Sequence, residues 1–223
     1  MPLLTRVRDL ASATGGAVLA AGVRAKSAVT PSAKPLHPDG TLRHAVLHRH
    51  GLDPALGVAW LDEAGVDEVV VRESRAVGLP DALPDIQGLA IRIPVGDGHG
   101  DLLLASTGLG RVTRFLLTPS RTTYGRPMTT LLPYRTVAGA VLIAARAVGP
   151  ETVELSCAVG ERAPAGDWRH FADLRIAGPV ADGDGERLSF DPVRNRLPGL
   201  GQYRWVERLR EPGYQQARAD RSR

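Results

Sequence analysis

The chain of 223 residues has few aromatics, almost no lysine and a single cysteine. Phe, Tyr and Trp together make up 4% of it, so a core must come from Leu, Val, Ile and Ala within an apolar fraction of 43%. Lysine occurs only at Lys26 and Lys34, and arginine therefore carries the net charge of +4. That charge permits nucleic acid, anionic lipid or an acidic small molecule as partner without choosing among them. The lone Cys157 excludes an intrachain disulfide and a Cys-rich metal site. It reads as a small buried hydrophobe on a strand. No apolar run is long enough to span a bilayer. The segment from Leu10 to Val23 is rich in Ala and Gly and follows Arg6 and Arg8, but Asp9 and small polar residues break any resemblance to a signal-peptide core. It is expected to be a helix packed on the domain or an arm, in a cytoplasmic protein without stable membrane insertion.

Several site types are also missing. There is no phosphate-binding G-x-x-x-x-G-K-[ST] loop, no dinucleotide fingerprint and no G-x-S-x-G nucleophile elbow. The basic tail from Arg204 to Arg223 lacks aromatics at a spacing that would stack bases, so no nucleic-acid partner is expected. His44, His48 and His50 would share one face of a strand. A metal site there is the alternative to solvent-facing polar positions, which the flanking Arg43 and Arg49 favour. His99, in a Gly-rich turn, and His170 are expected at the surface.

What is present is β punctuation. Residues 1 to about 29 read as a helix, and two prolines in the linker Thr30-Pro31-Ser32-Ala33-Lys34-Pro35 stop it. From Thr41 short apolar runs recur: Ala45–Leu47, Val69–Val71, Gly88–Ile93, Leu102–Ala105, Phe115–Leu117, Val141–Ala144, Val153–Val159 and Leu174–Ile176. Gly, Pro and Asp clusters separate them, which predicts an antiparallel barrel or sandwich. After Pro198-Gly199 the pattern turns helical, with Tyr203, Val206 and Leu209 on one face. The expected fold is mainly β with helices (α+β). Residues 1–33 would form an N-terminal helix and linker, and residues 34–223 a β-barrel domain with a C-terminal helical tail.

Four segments, in order, resemble the marker segments of heme catalases. Lys34-Pro-Leu-His37-Pro-Asp-Gly40 is similar to R-x-x-H-A-x-G, the element that carries the distal histidine. Val71-Arg72-Glu-Ser74 and Asp85-Ile-Gln-Gly88-Leu-Ala-Ile-Arg92 resemble V-R-F-S and D-x-x-G-F-A-V-K, and this is the most specific match. Asp101-Leu-Leu-Leu-Ala-Ser106-Thr107 resembles D-L-V-G-N-N-T. Phe190-Asp-Pro192, Leu197-Pro-Gly199-Leu200, Arg210-Glu-Pro-Gly-Tyr214 and Arg221 resemble F-x-P, P-G-I and R-x-x-x-Y with a further Arg. The resemblance covers residues 34 to 221, in a chain less than half as long as a typical catalase.

The resemblance implies a catalase-like β-barrel holding heme b. Tyr214 would be the axial metal ligand, its phenolate favoured by Arg210. Lys34, Arg72 and Arg221 would take the propionates. His37 would be the distal acid–base, oriented by Ser74, and Ser106 would stand at the family's distal Asn. Leu89 and Glu73 replace pocket phenylalanines. From the tail alone, Tyr214 reads rather as an interfacial Tyr on a surface helix, a reading that the three upstream segments bring level with ligation, and Arg72 reads as an ion-pair partner of Glu73, Glu68 or Asp67. The implied activity is that of a peroxidase or hydroperoxide-converting oxidoreductase acting on a small-molecule peroxide. The alternatives are a non-heme binder of an apolar or anionic ligand on the same fold, and a hydrolase, since some short catalase-like chains carry a phosphodiesterase label. Catalases are tetramers, and homo-oligomerisation stays open.

Overall fold

The computed structural model describes residues 40–80, 82–160, 167–181 and 188–208. The expected N-terminal helix and linker, together with Lys34, His37, Arg210, Tyr214 and Arg221, lie outside these residues. Ten strands form one antiparallel sheet: β1 Gly40–Arg49, β2 Gly65–Arg75, β3 Gln87–Val95, β4 Gly98–Ser106, β5 Met128–Thr129, β6 Tyr134–Thr136, β7 Gly139–Ala147, β8 Thr152–Val159, β9 Arg169–Pro179 and β10 Gly201–Gln202. A single-turn helix α1, Ala59–Asp62, follows β1, and a 3-10 turn spans Thr113–Phe115. The sheet order is β10-β6-β7-β5-β4-β3-β2-β1-β9-β8, with β7 also paired to β8. That last pairing closes eight strands into a barrel. β6 continues the line of β5 along β7, and β10 adds to it from outside.

Alternation explains the closure. In β3, Leu89, Ile91 and Ile93 are fully buried, while Ala90, Arg92 and Pro94 face the other way. The same period puts Ala45 and Leu47, Val69 and Val71, Leu102 and Leu104, Val141 and Ile143, and Val153 and Leu155 into one apolar cluster. An eight-stranded barrel has an interior just wide enough for side chains to fill. This interior is packed with aliphatics, so a ligand site belongs on the outside or at the ends. α1 stoppers one end: Trp60 meets Phe171 edge-on at 5.5 Å, and Leu61 is completely buried. Asp62 shapes that stopper by accepting from the Leu56 and Val58 amides at 2.8 and 2.7 Å.

Seven of the eight expected runs are strands. Phe115–Leu117 is not: Phe115 closes the 3-10 turn, and Phe115 and Leu116 are exposed. The turn forms because Thr113 folds back locally, its Oγ1 accepting from the Gly110 amide at 3.0 Å. Cys157 is fully buried in β8, and burial pushes its thiol up to about 11. Residues 204–208 are helical with Val206 buried, as the pattern after Pro198-Gly199 requires. No helix among the described residues is long and apolar enough to cross a membrane.

Candidate functional site on the outer face of the first four strands

Directly paired residues of antiparallel strands share a face, so register defines what stands outside the barrel. Gly40, Ser74, Gly88 and Ala105 form one row across β1 to β4. Leu42, Arg72, Ala90 and Leu103 form the next. His44, Val70, Arg92 and Asp101 form the third. The first row carries nothing larger than a hydroxymethyl group. The second is apolar except for Arg72. Together they make an outer floor of small and mostly apolar side chains with one guanidinium on it.

Arg72 explains Gly40. A Cβ on Gly40 would lie 2.5 Å from the Arg72 Nε, so any other residue there would push the guanidinium aside. The glycine that ends the first marker segment and the arginine of the second therefore interlock.

The third row anchors the fourth segment. Asp101 is fully buried and takes Arg92 bidentately, with both bonds at 2.9 Å. Its Oδ2 also accepts from the Asp191 amide at 2.8 Å and the Asn195 side-chain amide at 2.7 Å. Arg92 donates to the Ser189 carbonyl at 2.5 Å and lies 4.8 Å from the Phe190 ring centroid. The Phe190-Asp-Pro192 segment is thus clamped beside the floor that bears Arg72. Gly100 completes the fit, because a Cβ there would lie 2.6 Å from Leu197.

Ser106 and Glu73 lie on the opposite side of their strands, at the barrel end away from α1. Ser106 follows Leu102 and Leu104 inward and is fully buried. Its hydroxyl donates to the Thr118 carbonyl at 2.8 Å and accepts from the Gln87 amide at 3.0 Å. The outward residue in register with Ser74 is Ala105, which has no donor to offer. Glu73 pairs with Leu89, accepts from the Tyr124 hydroxyl at 2.5 Å and lies 3.9 Å from Arg43. Burial first, and the Glu73 hydrogen bond second, raise the Tyr124 phenol well above its ordinary range. Asp67 binds Arg49 at 2.9 Å. Leu89 and Glu73, where catalases have Phe, therefore shape the barrel interior rather than the outer floor. Asp85, the first residue of its marker, holds the loop after β2: its carboxylate accepts from the amides of Val77, Gly78 and Leu79.

The three histidines of β1 do not act together. His44 and His48 stand on the outer face within the strand, whereas His50, just past its end, joins His170 and Asp173. Two features of the outer floor could be recovered from sequence only with the pairing in hand: the outward phase of Ala105 and the Gly40–Arg72 interlock.

A scan against protein families finds no matching family, and a search of curated proteins finds no relative. A bacterial catalase structure superposes with a TM-score of 0.60 at 12% identity, over 83% of this chain and 56% of that one. The barrel is catalase-like. At this identity the likeness is one of fold, and the chain spans little more than half of that catalase.

Proposed function

We propose that this catalase-like barrel carries heme b on the outer floor of β1 to β4 and acts as a peroxidase or hydroperoxide-converting oxidoreductase. One observation carries the reading: strand register brings parts of three marker segments to a single face, and hydrogen bonds to Asp101 hold the fourth beside it. Gly40 comes from the first, Arg72 and Ser74 from the second, Ala105 from the third and the clamped Phe190-Asp-Pro192 from the fourth. The floor suits a flat anionic macrocycle, since its first row is small, the next is apolar and Arg72 supplies a cation.

Bound heme would supply the redox-active iron for cleaving a peroxide O–O bond. Arg72, with Lys34 and Arg221, would hold its carboxylates. Tyr214 would be its protein ligand, with Arg210 favouring the phenolate over the phenol. His37 would serve as the acid–base group for the peroxide, with Ser74 orienting its imidazole. Ser106 serves the barrel end instead, its hydroxyl being spent on Gln87 and Thr118. With Ala105 facing outward, no amide side chain polarises the substrate there. Slow turnover of a small or lipid hydroperoxide fits that face better than fast dismutation.

Hemin titration followed by absorption tests the proposal. Saturable binding with a shifted Soret band is expected, weakened at least tenfold in Tyr214→Phe and in Arg72→Leu. Unchanged binding in Tyr214→Phe would overturn Tyr214 as the ligand, and no shift in the full chain would leave a non-heme ligand-binding barrel.

A further inference from the structure

β9 contains an irregularity that the barrel itself does not need. Leu155 of β8 pairs with Ala172, but the next residue, Ser156, pairs with His170. Phe171 is therefore an extra residue, and both Phe171 and Ala172 are fully buried. In a regular strand, residues three apart point to opposite faces. The bulge removes that opposition and brings His170 and Asp173 to the same outer face, an effect bulges commonly have beside functional sites. His50 arrives at the same place from the end of β1, fixed by its backbone amide donating to the Phe171 carbonyl at 2.7 Å.

The three side chains converge closely. The His50 Nε2 and the His170 Nε2 each lie 2.9 Å from Asp173, one on each carboxylate oxygen. The imidazole centroids are 5.2 Å apart, and one ligand atom from each residue falls within 4.8 Å of the others. Tetrahedral zinc with bonds of 2.0–2.2 Å needs ligand atoms about 3.3 Å apart. Modest rotation of two exposed rings closes the difference. Burial raises the Asp173 carboxyl, but the hydrogen bonds from His50 and His170 outweigh it and hold the group below its ordinary range. The carboxylate is thus anionic and ready to ligate at neutral pH.

We propose that His50, His170 and Asp173 form a solvent-facing site for one first-row divalent transition-metal ion, Zn²⁺ or its spectroscopic substitute Co²⁺. Two imidazoles and one carboxylate select such ions over Mg²⁺ and Ca²⁺, which prefer all-oxygen sites. Ligation through Nε2 uses the neutral tautomer of each imidazole that carries its proton on Nδ1. Three protein ligands leave at least one position for water. The site is separate from the proposed heme floor: Leu42, the nearer floor residue of β1, and His50 are eight residues apart, about 26 Å along an extended chain.

Untagged full-length protein, stripped with chelator, is titrated with Co²⁺ by visible absorption and with Zn²⁺ by calorimetry. One saturating equivalent is expected, with at least tenfold weaker binding in His50→Gln, His170→Gln and Asp173→Asn. His44→Gln and His48→Gln should bind as the parent does, and excess Mg²⁺ should not compete. Circular dichroism of each variant confirms that the barrel is intact. Deleting Phe171 tests the bulge separately, and metal binding should fall with the lost register. Absence of saturable binding, or binding unaltered by the His50 and His170 substitutions, overturns the proposal. So does a Zn²⁺-independent melting temperature in a protein that His50→Gln destabilises, because the cluster would then be only a hydrogen-bonded staple.

Discussion

Two buried hydroxyls near one barrel end lead to separate predictions. Ser106 satisfies one backbone donor and one backbone acceptor. Ser106→Ala leaves both inside the protein without it, at a cost of about 1–3 kcal/mol. Its denaturation midpoint should fall while hemin affinity holds, and a large loss of hemin binding without loss of stability would return Ser106 to the site. Tyr124 is the second case. Its phenol stays protonated in the folded state because burial and Glu73 raise its pKa, whereas an unfolded tyrosine ionises near pH 10. A group raised on folding stabilises fully below the unfolded value and loses that contribution as pH rises above it. Urea midpoints should therefore drop more steeply from about pH 10 upward in the parent than in Tyr124→Phe. Parallel pH profiles would contradict a raised Tyr124 pKa in the folded state. The sequence shows both residue types but not these roles, since neither partner of Ser106 is near it in the chain.

At the scale of elements, the clamp around Asp101 joins the barrel to the segment that leads toward Tyr214. Asp101 neutralises Arg92 and accepts from two groups of residues 191–195. Asp101→Ala strands a partly buried guanidinium, a change that costs about 3–5 kcal/mol for a buried pair. In a chain of this size that lowers the melting temperature by roughly 10 °C. Protease cleavage within residues 189–196 should accelerate before global unfolding, because this segment loses its anchors first. Uniform protection up to the melting temperature would show that other contacts hold it. The strands themselves were largely legible in the sequence, because Leu89, Ile91 and Ile93 or Val153 and Leu155 alternate cleanly. β5, β6 and β10 were not, being two or three residues long and defined by pairing rather than pattern. Strand phase was the subtler loss. Ala105 and Ser106 are neighbours, and only the pairing of Gly88 with Ala105 decides which faces the floor. The bulge at Phe171 is equally silent, since an inserted residue leaves no mark on composition.

Across the whole molecule, the filled barrel acts as a rigid support with two chemically different faces. The floor of β1 to β4 carries small and apolar side chains with Arg72 among them, whereas the outer face at the end of β1 and the start of β9 gathers imidazoles around a carboxylate. Fold likeness to a bacterial catalase describes the barrel and is silent about what either face binds. If each face holds its own ligand, each ligand stabilises the folded chain by mass action, about 2.7 kcal/mol at a concentration one hundred times its Kd. Sites this far apart, with no shared partner, should contribute additively. Hemin and Zn²⁺ should then each raise the melting temperature, and their joint shift should match the sum. His50→Gln should abolish only the Zn²⁺ increment, and Tyr214→Phe only the hemin increment. A joint shift well below the sum, with hemin lost in His50→Gln, would mean that the imidazoles capture the heme iron and that the two faces share one ligand.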